Sequence, residues 1–390
     1  MTSPRLRAAA AIGAVFFVNG ASLSSWTPRL PELQAELGIS DAALGLTLLG
    51  GGIGGLLASL ISGWCVDRRG SRTMTVTTSA VMSICLPLLG TVPTAGLVFA
   101  TLIVIGAFDG LTDVAMNAQA VELQRRVGRS VITRFHAVWS AGAVTGGIVA
   151  SRAAAAGISI RTQLLVTAAV LVATTMAAAF FLLPDHSHHH TATAAPSDHV
   201  RPRQGLYVRL FVIGLAVALA ELPPFEWAAL MLDERFDVTA GQAGLGFVAV
   251  AGGMLVGRLV GDHLTDRWGL EKTRRGGAAL AATGVVLATL LPSPVAAGCG
   301  LFVAGLGLSS LFPLLFRAAS DLTHGSHGGM AAFSSGARLG FLFVSPLMGL
   351  IAQRTSIATA MLLIAGTAAV AVAVSRLPRT AEAELAAMTT

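Results

Sequence analysis

The sequence predicts an all-α membrane protein of twelve transmembrane helices arranged as two related six-helix bundles. Three observations predict it. Apolar runs of crossing length recur from end to end, basic residues crowd one side of the membrane, and the second half repeats motifs of the first. Composition agrees: the 390 residues are 54% hydrophobic and 12% charged, with a mean hydropathy of +0.73, whereas a soluble chain carries about 25% charged residues.

The apolar runs fall at approximately 8–26, 41–64, 73–91, 95–119, 133–156, 161–183, 207–231, 239–262, 274–292, 295–317, 329–352 and 356–375. Each is long enough, at about 1.5 Å per helical residue, to cross roughly 30 Å of hydrocarbon. Ser40 stands immediately before the second run and suits its N-cap. Strands are excluded, because the segments are too long and lack a ten-residue alternation. The first run follows "MTSPRLRAAA" as a signal peptide would. However, "NGASLSSW" offers no A-x-A cleavage site and many spans follow, so it reads as an uncleaved first helix.

Basic residues orient the spans. With the N-terminus inside, 20 of the 26 Lys and Arg residues fall in cytoplasmic segments or adjoining helix ends, Arg258 among them. Five fall at the other side (Arg29, Arg152, Arg161, Arg235 and Arg354), and Arg338 lies inside a span. This asymmetry places both termini in the cytoplasm, at a bacterial inner membrane. It also accounts for the formal charge of +6 without a nucleic-acid partner. Cys65, Cys85 and Cys299 lie in or beside apolar runs without metal spacing and read as reduced, structural residues.

The stretch "PDHSHHHTATAAPSDHVRPRQG" at 184–205 is the one long polar segment. It divides the chain into a first bundle (1–183), a flexible cytoplasmic linker (184–206) and a second bundle (207–390). Its histidines have the composition of a metal-binding tract, but chance histidines in a disordered linker are the simpler reading, and no metal is assigned. The two bundles repeat. "GWCVDRRGSR" (63–72) aligns with "GDHLTDRWGLEK" (261–272) at an offset of 199, and "RFHAVWSAG" (134–142) with "AFSSGARLG" (332–340) at 198. Two blocks in register indicate an internal duplication with parallel halves.

The loop "GWCVDRRGSR" matches G-x-x-x-D-R-x-G-x-R. Its Gly70 permits a tight turn. The loop resembles the conserved motif between helices two and three of the major facilitator superfamily, and the second copy after span eight fits the same family. There Asp262 stands where Gly63 stands in the first copy. The carried-over positions are Gly63, Asp67, Arg68, Gly70 and Arg72 in the first loop and Asp266, Arg267 and Gly269 in the second. The resemblance implies that Asp67 meets the start of span eleven near Gly328–Phe333 and, by symmetry, that Asp266 meets the start of span five near Ile132–Phe135. Such contacts would latch the halves when the cavity opens outward; charges that merely enforce topology are the alternative. "DVAMNAQAVELQRRVGR…FHAVWSAG" resembles, more narrowly, the YbjJ-like group related to fucose-permease-like transporters. "WSAGAVTGG" (139–147) resembles the superfamily's antiporter motif with Ala143 in place of proline, and close helix packing explains its glycines equally well.

In this family helices one, four, seven and ten face the central cavity. Asp109, Asp113 and Asn117, spaced four apart on one helical face, would then share it with Asn19, Trp26, Glu221 and Trp227. A carboxylate at mid-membrane costs about 2.5–3.5 kcal/mol on insertion scales, so these acids must face inward. Asp109, Asp113 and Glu221 are the proton-coupling candidates, and each entering proton gains roughly 2.3 kcal/mol per 100 mV of membrane potential. An interhelix hydrogen bond that holds helix four in place is the competing role. Pro223 and Pro224 remove two amide donors beside Glu221 and Glu226. Broken backbone of this kind is tolerated where it lines a cavity. Arg338 either neutralises Asp109, Asp113 or Glu221 or binds an anionic substrate group. Asn19, Trp26, Asn117, His136, Trp139, Glu226, Trp227 and Arg338 are the substrate-binding candidates.

No nucleophile–base pair, phosphate loop or metal spacing indicates an enzyme or a cofactor, and "GGGIGG" (50–55) lies inside a span. The expected function is a monomeric, proton-coupled secondary transporter that moves a small organic solute by alternating access. Export is favoured by the antiporter-like motif. The alternatives are proton symport of a sugar-like solute, uniport with structural carboxylates, and a non-transporting membrane sensor.

Overall fold

The computed structural model describes residues 4–128, 131–185, 204–323 and 327–375. Among them every regular element is helical. The crossing segments are α1 (Pro4–Leu37), α2 (Asp41–Arg69), α3 (Ser71–Gly90), α4 (Ala95–Val127), α5 (Ile132–Ala155), α6 (Ile160–Ala179), α7 (Gln204–Phe236), α8 (Ala240–Trp268), α9 (Leu270–Leu290), α10 (Pro294–Leu322), α11 (His327–Ala352) and α12 (Ile357–Val374). Ten are long and apolar enough to cross a membrane by composition. The other two are α5, which carries Arg134, His136 and Arg152, and α9, which opens with Glu271, Lys272, Arg274 and Arg275. The histidine-rich linker expected at 184–206 lies outside the described residues from 186 to 203.

Local chemistry sets the boundaries. The Ser40 hydroxyl accepts the Ala43 amide at 3.4 Å, as its N-cap position predicts. Thr94, Ser159, Thr239 and Ser293 cap α4, α6, α8 and α10 in the same way. Gly70 and Gly269 end α2 and α8 at φ +84° and +80°, a backbone region open to glycine and closed to most side chains. The space beside Gly70 is also filled, because a Cβ there would lie 2.1 Å from the Asp185 carboxyl carbon. Asp185 in turn accepts the Arg72 amide at 2.7 Å and the Thr73 hydroxyl at 3.1 Å, so it caps the start of α3 from the far end of α6.

Glycine contacts repeat between the halves at the sequence offset of 199. A Cβ on Gly54 would approach the Ile103 carbonyl oxygen to 2.0 Å, and one on Gly106 that of Gly51 to 2.2 Å. In the second half Gly253 stands 2.1 Å from the Phe302 oxygen by the same measure, and Gly305 2.1 Å from that of Val250. The α2–α4 and α8–α10 crossings therefore bring backbone against backbone, the packing that small residues allow in lipid. The "GGGIGG" run serves this crossing. In the antiporter-like stretch a Cβ on Gly142 would crowd the Phe17 backbone, one on Gly146 that of Ala21, and one on Gly147 the Phe247 ring.

The halves meet at the end remote from Gly70 and Gly269. There Gly45 and Gly349 pack α2 onto α11 against Ser345 and Asp41. Gly147 and Gly241 pack α5 onto α8 against Phe247 and Ala155, and the Ser40 hydroxyl donates to Gln353 Oε1 at 3.3 Å. At the turn end the halves are apart. Among the described residues neither Asp67 nor Asp266 bonds the opposite half: Asp67 faces a groove of about 430 Å³ shared with Arg68, Arg125 and Asp185, and Asp266 borders the central cavity that also touches Ile132. The contacts expected of Asp67 near Gly328–Phe333 and of Asp266 near Ile132–Phe135 are thus not hydrogen bonds or ion pairs among the described residues, although Asp266 and Ile132 line the same cavity. Gly63 is exposed with open space around it, and Arg68 lies 5.6 Å over the Trp64 ring.

Candidate functional site

A cavity of about 890 Å³ lies between the halves and opens at the turn end. His136 of α5, Glu221 of α7, Arg258 of α8, Ser309 of α10 and Phe341 of α11 line it, with Asp266 and the exposed Arg317 at its mouth. Helices seven and ten face it as expected. No residue of α1 or α4 is in its lining, so of the three acids expected to share one vestibule Glu221 alone lines this cavity.

The aspartates instead belong to polar contacts of the first half. Asn19 of α1 donates through Nδ2 to Asp109 Oδ1 at 2.8 Å and accepts the Trp139 indole N–H at 2.7 Å. One buried amide therefore ties α1 to both α4 and α5. Asn117 donates to Asp113 Oδ1 at 3.0 Å and to the Asp113 carbonyl at 2.8 Å, so this pair closes on its own helix. The i, i+4 spacing brought Asp113 and Asn117 together as predicted, whereas Asp109 turns to a different partner.

Arg258 is the residue that sequence reasoning missed. It was counted with the basic residues of the cytoplasmic ends, yet it stands eight residues, or about 12 Å of helix, inside Asp266. Its guanidinium crosses to the other half, where it donates to Ser140 Oγ at 2.5 Å and lies 5.2 Å over the Trp139 ring. The distance to the turn was the available signal, since a side chain that deep cannot reach the lipid headgroups easily. Arg258 and Glu221 line the same cavity without forming a salt bridge. His136 packs edge-on against Phe16 at 5.4 Å.

Several expectations need correction. Arg338 does not neutralise Asp109, Asp113 or Glu221; it is exposed on α11, and the cation that lines the cavity with Glu221 is Arg258. Glu226 lies between α7 and α11, where it accepts the Ser345 hydroxyl; it does not reach the cavity. Trp26 and Trp227 are 5% and 0% exposed in the apolar core of the shut end, so neither touches the cavity. Their indole N–H groups have no acceptor among the described residues. Tryptophan follows its large apolar area into the core when the halves close over it. α7 continues as one helix through Pro223 and Pro224.

Twelve crossing segments in two glycine-matched halves, joined at one end around a polar cavity, define a membrane transporter of the two-bundle class. The chain belongs to the Major Facilitator Superfamily, whose family model matches residues 12–331 and 227–387. An uncharacterized MFS-type transporter of Yersinia pestis is 31% identical over 369 residues, covering 93% of this chain and 94% of its own length. The membrane protein MosC of Rhizobium meliloti is 26% identical over 360 residues, covering 91% and 86%. Among solved structures, the nucleoside transporter NupG superposes with a TM-score of 0.75 over 95% of this chain and 98% of its own, at 14% identity. FucP in its outward conformation superposes at 0.64 over 94% and 98%, at 15% identity. At these identities the two structures attest the fold alone.

Proposed function

We propose that this transporter couples proton movement to the passage of a small organic solute by alternating access, as a monomer in a bacterial inner membrane with both termini in the cytoplasm. The observation that carries the reading is the chain Asp109–Asn19–Trp139, on whose indole the Arg258 of the other half rests. Asn19 is held with its N–H toward Asp109 and its carbonyl toward Trp139. A proton on Asp109 removes its charge and adds a donor while one oxygen still accepts, so the charge-assisted contact with Asn19 weakens. That change reaches Trp139 and the contact between halves, which is the linkage a coupled carrier requires. Asp113, one turn along α4, and Glu221, in the cavity, are further proton-carrying candidates.

Export is the direction we assign, on the antiporter-like stretch at 139–147. Import remains the second reading because FucP, a fucose:proton symporter, has a similar fold, at a TM-score of 0.61 and 16% identity. The test is gradient-driven accumulation in proteoliposomes, with a solute selected by thermal stabilisation from sugars, amino acids and organic acids. Asp109→Asn keeps an oxygen for Asn19 but cannot ionise, so it is expected to abolish accumulation driven by a proton gradient while solute counterflow persists. Accumulation unchanged in Asp109→Asn and Asp113→Asn would assign the aspartates to structure and the protein to uniport. Binding without flux would identify a sensor. The orientation of the imposed gradient separates export from import.

A further inference from the structure

The cavity contains an ion pair left open. Arg258 carries five N–H donors, and among the described residues Ser140 Oγ is its one hydrogen-bond partner. Glu221 has no hydrogen-bond or salt-bridge partner among those residues, although both line the same cavity. A guanidinium and a carboxylate inside a membrane protein ordinarily close on each other, because an unsatisfied charge away from water is costly. These two line one cavity without forming a salt bridge. Arg258 is anchored across the gap on Trp139 and Ser140 of α5, and Glu221 stands on α7.

We infer that this gap is the solute-binding subsite, and that it takes a net-neutral solute presenting an acceptor group to Arg258 and a donor group to Glu221. The inference rests on the transporter reading and adds the chemical class of its cargo. The charge balance of the lining carries it further. Arg317 is offset by Asp321 on its own helix and both it and Asp266 are exposed at the mouth, which leaves Glu221 and Arg258 as one acid and one base deeper in the lining. A simple anion would gain Arg258 but meet Glu221, and a simple cation would gain Glu221 but meet Arg258. A bipolar solute satisfies both, and each contact is charge-assisted and therefore about twice as strong as a neutral hydrogen bond. Phe312 and Phe341, 6.4 Å apart between ring centres, supply an apolar wall for the body of the solute. Two kinds of molecule have this chemistry: a zwitterion, with carboxylate on Arg258 and ammonium on Glu221, and a neutral polyol bridging both through hydroxyls. Engagement of Arg258 by the solute would also compete with its hold on Ser140 and Trp139, which places binding directly on the contact between halves.

The test is equilibrium binding to the detergent-purified full chain, without any gradient, using two matched series. L-Serine, lactate and ethanolamine form one; glucose, gluconate and glucosamine form the other. The expected result is that the neutral member of at least one series binds about tenfold tighter than both of its charged relatives. Arg258→Lys, which keeps the charge but loses the fork, should weaken that binding about tenfold or more. Glu221→Gln should weaken serine more than glucose, which tells the zwitterion from the polyol. Preference for a charged member, no binding by any of the six at millimolar concentration, or neutral binding that Arg258→Lys leaves within about twofold would overturn the inference. The charge preference is measured on the unsubstituted protein, so it stands if Arg258→Lys fails to fold. Failure of the transporter reading is distinct: it would appear as selective, Arg258-dependent binding with no flux in liposomes.

Discussion

At the scale of single residues, Asn19 carries more of the first half than any of the acids it serves. It is 5% exposed and satisfies Asp109 and Trp139 simultaneously. Asn19→Leu keeps similar volume but strands a carboxylate oxygen and an indole N–H, so it is expected to cost about 1–3 kcal/mol, read as a lower melting temperature in detergent together with lost coupling. An unchanged melting temperature would mean that these groups find other partners. Arg274 makes a comparable case in the second half. It is fully buried, bonds Glu271 at 2.8 Å and the Ser375 carbonyl at 2.7 Å, and also reaches Val372. Arg274→Met should lower the melting temperature by freeing the end of α12 from the start of α9. The two residues differed in legibility. Asn19 stood out because an amide inside an apolar run is conspicuous. Arg274 resembled every other basic residue near a turn, and its burial depends on where α12 ends.

At the scale of elements, the glycine crossings make the duplication physical. Gly54 and Gly253 occupy equivalent places in α2 and α8, each within about 2 Å of a facing carbonyl oxygen if given a Cβ. Gly54→Ala and Gly253→Ala should therefore destabilise to similar degrees, by about 1–3 kcal/mol each. Gly63→Ala, with open space around it, should stay within about 0.5 kcal/mol. Matched thermal melts of the three variants decide this, and equal effects at all three would remove the packing argument. Arg72 and Arg274 show the same logic at helix ends. Arg72 donates to the Ala179 carbonyl at the end of α6 and Arg274 to the corresponding end of α12, where the helix dipole is negative. The spans themselves were legible because crossing length and apolarity are properties of the local chain. Their extensions were not: α4 continues to Val127 past the predicted 119, and nothing in hydropathy marks a helix that leaves the bilayer without ending.

At the scale of the whole molecule, closure at one end and opening at the other is a property of how the halves meet. Ser40 and Gln353 touch across the shut end. A short bismaleimide joining Ser40→Cys to Gln353→Cys, in a background lacking Cys65, Cys85 and Cys299, should hold that end closed and reduce flux at least about tenfold. Binding to the open cavity should remain. Flux that survives complete cross-linking would refute a rocking motion about the central site.

What the chain determines by itself is the set of crossings, their orientation signals, the two turn motifs and the duplication, because each depends on residues close in sequence or on a fixed offset. Tertiary structure alone decided which polar side chains share a cavity. Sequence period placed Asp109, Asp113 and Asn117 on one face, but the direction of that face follows from helix rotation and tilt against α1, α2 and α5. Arg258 crosses from one half to the other and pairs with groups more than 100 residues away. Trp26 and Trp227 are core residues because the halves close over them. A periodic pattern specifies what a helix offers; only packing against its neighbours specifies to whom.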